Sequence, residues 1–135
     1  MLRSETAKDR DALEIMRQGI QDLTLYFMLA GLSILGEAVE VVEAPGVQTL
    51  CTDGRKIYYD PKWMKILEPR GYVYVMFDIL HEWLHIFANH VARVGDRDKK
   101  LWNIAADVFV VAECCRILSE LLGESIAPPL SLIHI

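Results

Sequence analysis

The strongest constraint in this chain is His81-Glu82-Trp83-Leu84-His85, an H-E-x-x-H string inside an apolar run from Tyr72 to Val94. A helix turns about 100° per residue, so side chains four apart lie about 40° apart, one turn up the same face. On a helix, His81 and His85 therefore reach toward one point, and Glu82 stands beside it. Two neutral imidazoles can grip one cation. A tetrahedral Zn2+ held this way lacks one protein ligand and keeps one position for water, as catalytic rather than closed structural zinc sites do. A glutamate next to such a water can take its proton. The remainder of the chain is expected to supply the third ligand.

The flanking residues say where this helix lies. Val73, Met76, Phe77, Leu80, Leu84, Phe87 and Val91 recur at helical spacing, and Ile79, Trp83 and Ile86 form a second apolar stripe. A helix apolar on most of its circumference is buried. Buried histidines and a buried glutamate need partners, because an unpaired polar group in the interior costs roughly several kcal/mol. Against a chance string in a helix that binds nothing, a metal is the economical partner for all three.

Asp107 is the expected third ligand. It follows His85 by 22 residues, enough for one helix to end, a loop to reverse and a second helix to return with a carboxylate opposite the histidines. The alternative is a buried aspartate satisfied by hydrogen bonds among Ile104, Ala105, Ala106, Val108 and Phe109. His90 is the competitor. Continuing the first helix for nine residues from His81 turns His90 about 180° away, and Ile86-Phe87-Ala88-Asn89 contains no glycine to bend the chain first. It is expected at the helix end, on the Trp83 and Ile86 side. Asn103, one turn before Asp107, either orients a ligand or caps its helix. Cys114, two turns after Asp107, reads as a small apolar core residue. Asp78 either accepts the second N–H of His81 or faces solvent or a helix end.

In chain order, Ser4 or Thr6 caps a first helix through Leu13, Met16, Ile20, Leu23, Phe27 and Ala30, ending between Gly31 and Gly36. Glu37–Glu43 reads as a strand, and Pro45-Gly46 as a turn. Val47–Thr52 and Arg55–Tyr59 flank Asp53-Gly54, a hairpin signal because both turn positions tolerate positive φ. Asp60-Pro61 reads as an N-cap and first residue of a short helix to about Leu67, broken by Pro69 and Gly71. The motif helix is expected from Tyr72 to about Val94, stopped by Gly95. A last helix runs from near Lys99 to a stop at Gly123. Residues 1–129 form one domain. The tail Leu130–Ile135, LSLIHI, matches what a transposon end used in sequencing adapters encodes in frame. It is expected to be non-native, so His134 carries no weight and the natural chain is expected to continue past Pro129.

Composition bounds the partners. A 135-residue chain with 53% apolar residues can bury a core. Net charge −5, without clustered Lys and Arg, argues against nucleic acid. Leu23–Leu35 is too short, between Asp22 and Glu37, to span a membrane. The first eleven residues are charged rather than signal-like. Cys51, Cys114 and Cys115 show no C-x-x-C spacing and suit a reducing compartment, so the expected location is cytoplasmic.

TLCTDGRKIYYDP, ILHEWLHIFANHVAR and LWNIAAD, in that order, resemble the metallopeptidase domain found N-terminal to von Willebrand factor A-like domains in bacterial proteins. The likeness extends from about the first helix to Leu122, and a von Willebrand-like domain is not among these residues, in keeping with the expected continuation past Pro129. The resemblance implies a zincin-like α+β fold, with long helices and a small antiparallel sheet or hairpin beside the active-site helix. It implies zinc, His81 and His85 as ligands and Glu82 as general base, and it fits Asp107 in the site. It further implies a peptide or protein substrate and an AAA+ ATPase partner of the MoxR type. The hairpin around Thr52-Asp53-Gly54 is then either an edge that binds substrate backbone or a plain tight turn. Tyr58, Tyr59 and Tyr72 are candidates, by residue type, for stabilising an oxyanion. The rival reading is a zincin-like scaffold that binds a partner such as the ATPase and cleaves nothing.

Overall fold

A computed structural model describes residues 11–29 and 40–126. The fold is α+β, built on one central helix. The elements are α1 (Ala12–Leu29), β1 (Glu40–Glu43), β2 (Leu50–Thr52), β3 (Lys56–Tyr59), α2 (Pro61–Leu67), α3 (Tyr72–Phe87), α4 (His90–Arg93) and α5 (Lys99–Leu122), with a 3-10 turn, Glu68–Arg70, between α2 and α3.

The apolar circumference expected for the motif helix is observed, since every residue from Val75 to Trp83 is buried. α1 and α5 both pack on α3, and Ile15, Met16 and Leu23 of α1 share one buried core with Val110, Cys114, Ile117 and Leu118 of α5. Gly19 lets α1 approach closely, because a Cβ there would collide with Ile79 Cδ1. The Ser4 and Thr6 caps lie outside the described residues. At the described start of α1 the Asp11 carboxylate accepts from Leu13 N at 3.0 Å. α5 ends where expected, with Gly123 at φ 70°.

The sheet departs from the antiparallel expectation. Its order is β1-β3-β2, with β2 antiparallel to β3 and β1 parallel to it. Parallel pairing of nearby strands needs a connection that crosses the end of the sheet, and residues 44–49 provide it. Asp60 ties this crossing down. Its Oδ2 accepts from Gly46 N (3.0 Å) and Gln48 N (3.1 Å), while its Oδ1 accepts from Lys62 N (3.0 Å) and caps α2, as the Asp-Pro pair predicts. Burial alone would raise the Asp60 pKa, but these amide donors hold it below the usual carboxylate value. The Asp53-Gly54 turn forms as expected. Gly54 takes φ 98°, and Asp53 Oδ1 accepts from the amides of Arg55 and Lys56.

The motif helix does not run to Val94. It stops at Phe87, Asn89 takes the left-handed conformation (φ 57°, ψ 38°), and the chain restarts as α4. Asparagine adopts this conformation more readily than other non-glycine residues, so the bend forms without the glycine that the sequence lacks. Val91, expected on the buried stripe, is consequently 50% exposed.

Candidate metal centre

Helical spacing puts His81 and His85 one above the other on α3, and the return of α5 brings Asp107 against them. Asp107 Oδ1 lies 3.1 Å from His81 Nε2 and 2.9 Å from His85 Nε2, and the two Nε2 atoms are 3.2 Å apart. Three potential ligand atoms from three residues thus face one point. In a tetrahedral zinc site with arms of about 2.0–2.1 Å, neighbouring ligands sit about 3.3 Å apart. The observed triangle is close to that size, and its two nitrogens and one oxygen are donors that zinc accepts. The residues present therefore fit a metal ion.

Electrostatics point the same way. Burial would raise the Asp107 pKa, yet the hydrogen bonds and charge of His81 and His85 hold it well below the carboxylate range. The aspartate is therefore an anion across the neutral range. Glu82, 5% exposed, behaves oppositely: burial, followed by the negative charges of Asp78 and Asp107, pushes its pKa well above the ordinary 4.5. Two carboxylates in one site are driven apart, which is how acid–base roles divide between like groups.

The cluster opens into a cavity of about 350 Å3, within the size range of small-ligand sites. The cavity is lined by Thr49–Thr52 on the β2 side, by His81, Glu82 and His85 of α3, by Val91 of α4 and by Asn103 and Ala106 of α5. Asp60 N donates to the Thr49 carbonyl, so Thr49 turns its backbone toward β3. Strand alternation then directs the backbone groups of Leu50 and Thr52 to the opposite edge. Cys51 also lines this cavity, and its thiol pKa is raised by burial and by Glu82 and Asp53.

Several residues stand elsewhere than the sequence suggested. His90 does not point away toward Trp83 and Ile86. The bend at Asn89 brings it back beside His85, with the two Nδ1 atoms 2.9 Å apart. Burial, with His85 and Arg93 nearby, lowers its pKa. Asp78 neither faces solvent nor caps a helix. It is fully buried and accepts from Trp63 Nε1 at 2.7 Å, while its Oδ1 has no partner, and desolvation raises its pKa to about 7. Asn103 is exposed at the cavity wall, and the α5 cap is Asp98. Cys114 is core, as expected, against the Phe77 carbonyl. None of the three tyrosines lines the cavity: Tyr58 and Tyr72 donate their hydroxyls to Asp53 and Asp22, and Tyr59 is buried in the sheet.

An α+β fold that gathers two imidazoles, an anionic carboxylate and a second, protonatable carboxylate at one cavity has the parts of a metal-dependent hydrolase centre. Residues 24–114, about two thirds of the chain, match the family described as "Putative metallopeptidase domain", and the chain belongs to that family. No curated protein and no solved structure matches it significantly. Among the described residues, no helix is long and apolar enough to cross a membrane.

Proposed function

We propose that this domain is a zinc peptidase in which His81 Nε2, His85 Nε2 and Asp107 Oδ1 hold the ion and Glu82 is the general base. The observation that carries the reading is the convergence of those three atoms beside Glu82 in a cavity that an edge strand also lines. When bound, zinc would lower the pKa of a water toward about 7 and polarise the scissile carbonyl.

The protein's own groups account for the rest. The outward backbone groups of Leu50 and Thr52 hold an extended peptide along β2 as an added strand, positioning one amide over His81 and His85. Glu82 takes a proton from the attacking water as its oxygen bonds to the amide carbon. It then delivers that proton to the amide nitrogen as the C–N bond breaks, leaving a carboxylic acid and an amine. The burial that raises the Glu82 pKa suits this double role, because it makes the ionised carboxylate a stronger base and moves its titration from the ordinary carboxylate range toward the operating pH, where one group can both take and return a proton.

The test is cleavage of a mixed peptide library, read by mass spectrometry, by zinc-loaded parent and Glu82→Gln. The parent is expected to cut and the variant to lose at least about 100-fold in rate while binding zinc as before. A parent that binds zinc and cuts nothing would overturn the peptidase reading in favour of a metal-holding scaffold. Equal cleavage by both proteins would remove Glu82 from the chemistry.

A further inference from the structure

His90 is 8% exposed, and the fold holds it from several sides. Asn89 in the left-handed conformation directs the chain back toward α3. The indole Nε1 of Trp102 donates to the His90 carbonyl at 2.8 Å. The His90 ring stands edge-on to Trp102 and Phe109, with centroids 5.9 and 6.1 Å away. Both aromatics belong to α5, the helix that also carries Asp107. One rigid element thus fixes the carboxylate and the imidazole flanking His85.

The contact this produces is Nδ1 to Nδ1, at 2.9 Å. His85 meanwhile turns Nε2 toward His81 and Asp107. A neutral imidazole that offers the Nε2 lone pair to a cation carries its proton on Nδ1. That proton needs an acceptor, His90 Nδ1 stands at hydrogen-bond distance from His85 Nδ1, and a hydrogen bond of this kind orients a ligand and raises its basicity.

We propose that His90 is the positioning residue for His85. Its Nδ1 accepts the His85 Nδ1–H, its own proton sits on Nε2, and His85 is held in the tautomer and orientation that present Nε2 to the ion. This inference rests on the metal-site reading. It concerns a residue outside the ligand set and places a histidine where outer partners of ligand histidines are usually carboxylates, carbonyls or waters.

Two variants separate the hydrogen bond from ring packing. Asparagine places Oδ1 where histidine has Nδ1, and leucine has nearly the same shape with no acceptor, while both lose the ring contacts with Trp102 and Phe109. Zinc affinity is measured by competition with a chromophoric chelator for the parent, His90→Asn, His90→Leu and Asp107→Ala. His90→Leu is expected to bind roughly 10–100-fold more weakly, and His90→Asn to recover most of that loss. In the zinc-loaded parent, nitrogen-15 NMR is expected to show the His85 proton on Nδ1 and the His90 proton on Nε2.

Equal affinities for the leucine and asparagine variants, or a His90 proton on Nδ1 in the loaded parent, would overturn the positioning role while leaving the ligand set intact. A parent that binds no zinc, or an Asp107→Ala protein that binds like the parent, would overturn the site reading and the positioning role with it.

Discussion

Asp78 offers a prediction that the fold alone supports, independent of any metal. Its carboxyl is fully buried, one oxygen accepts from Trp63 Nε1 and the other has no partner. Desolvation raises its pKa from 3.8 to about 7, with the Trp63 hydrogen bond opposing. The folded state therefore binds more protons than the unfolded chain between those values. Stability should fall as pH rises through that window and level off above it. At 1.36 kcal/mol per unit, the cost of this one group is about 4 kcal/mol once fully expressed, of which about 3 kcal/mol accumulates between pH 5 and pH 8. Asp78→Asn keeps an acceptor for Trp63 and cannot ionise. It also places an NH2 where an unpartnered oxygen stood, a penalty that does not vary with pH. The informative quantity is thus the change with pH in the difference between variant and parent. Urea unfolding of metal-free protein at pH 5 and pH 8 measures it. Asp78→Asn should gain about 3 kcal/mol on the parent over that interval, as an upper bound. A difference that stays constant across the interval would refute the reasoning, because it would mean that the Asp78 carboxyl titrates alike in folded and unfolded chains.

Two further predictions concern the supports of the site. Asp60→Ala removes the α2 cap and both hydrogen bonds to the β1–β2 crossing. The expected loss in thermal melting is roughly 5–10 °C, and an unchanged melting temperature would show that the crossing is held by other contacts. Asn89→Ala places a less tolerant residue at φ 57° and should destabilise by about 1 kcal/mol, whereas Asn89→Gly should match the parent within about 0.5 kcal/mol. Denaturant unfolding distinguishes them, and an alanine variant as stable as the glycine one would contradict the left-handed bend.

The parts of the site legible in the sequence were those set by helical geometry. His81 and His85 were paired by their spacing, and Asp107 was reached by counting residues through one loop and a returning helix. The buried character of α3, the Asp60-Pro61 helix start and the Asp53-Gly54 hairpin were equally local, because each follows from periodicity or from the conformational preferences of one or two residues. His90 was misplaced for a physical reason. Nine residues along a continuous helix do turn a side chain away, but Asn89 can take a left-handed conformation that its neighbours in sequence do not announce. The parallel pairing of β1 with β3 was hidden because partner choice depends on where the 44–49 crossing is anchored, and that anchor is a tertiary contact of Asp60. The Trp63–Asp78 hydrogen bond joins two helices across the 3-10 turn. Neither residue type nor spacing distinguishes that arrangement from a solvent-facing aspartate.

Binding of one metal ion by His81, His85 and Asp107 together is the property on which the proposed chemistry depends most. Zinc content per chain, measured by elemental analysis after loading and exhaustive dialysis of the parent and Asp107→Ala side by side, tests it most directly. About one zinc per chain is expected in the parent and almost none without the Asp107 carboxylate. Equal zinc in the two proteins, or none in either, would contradict it.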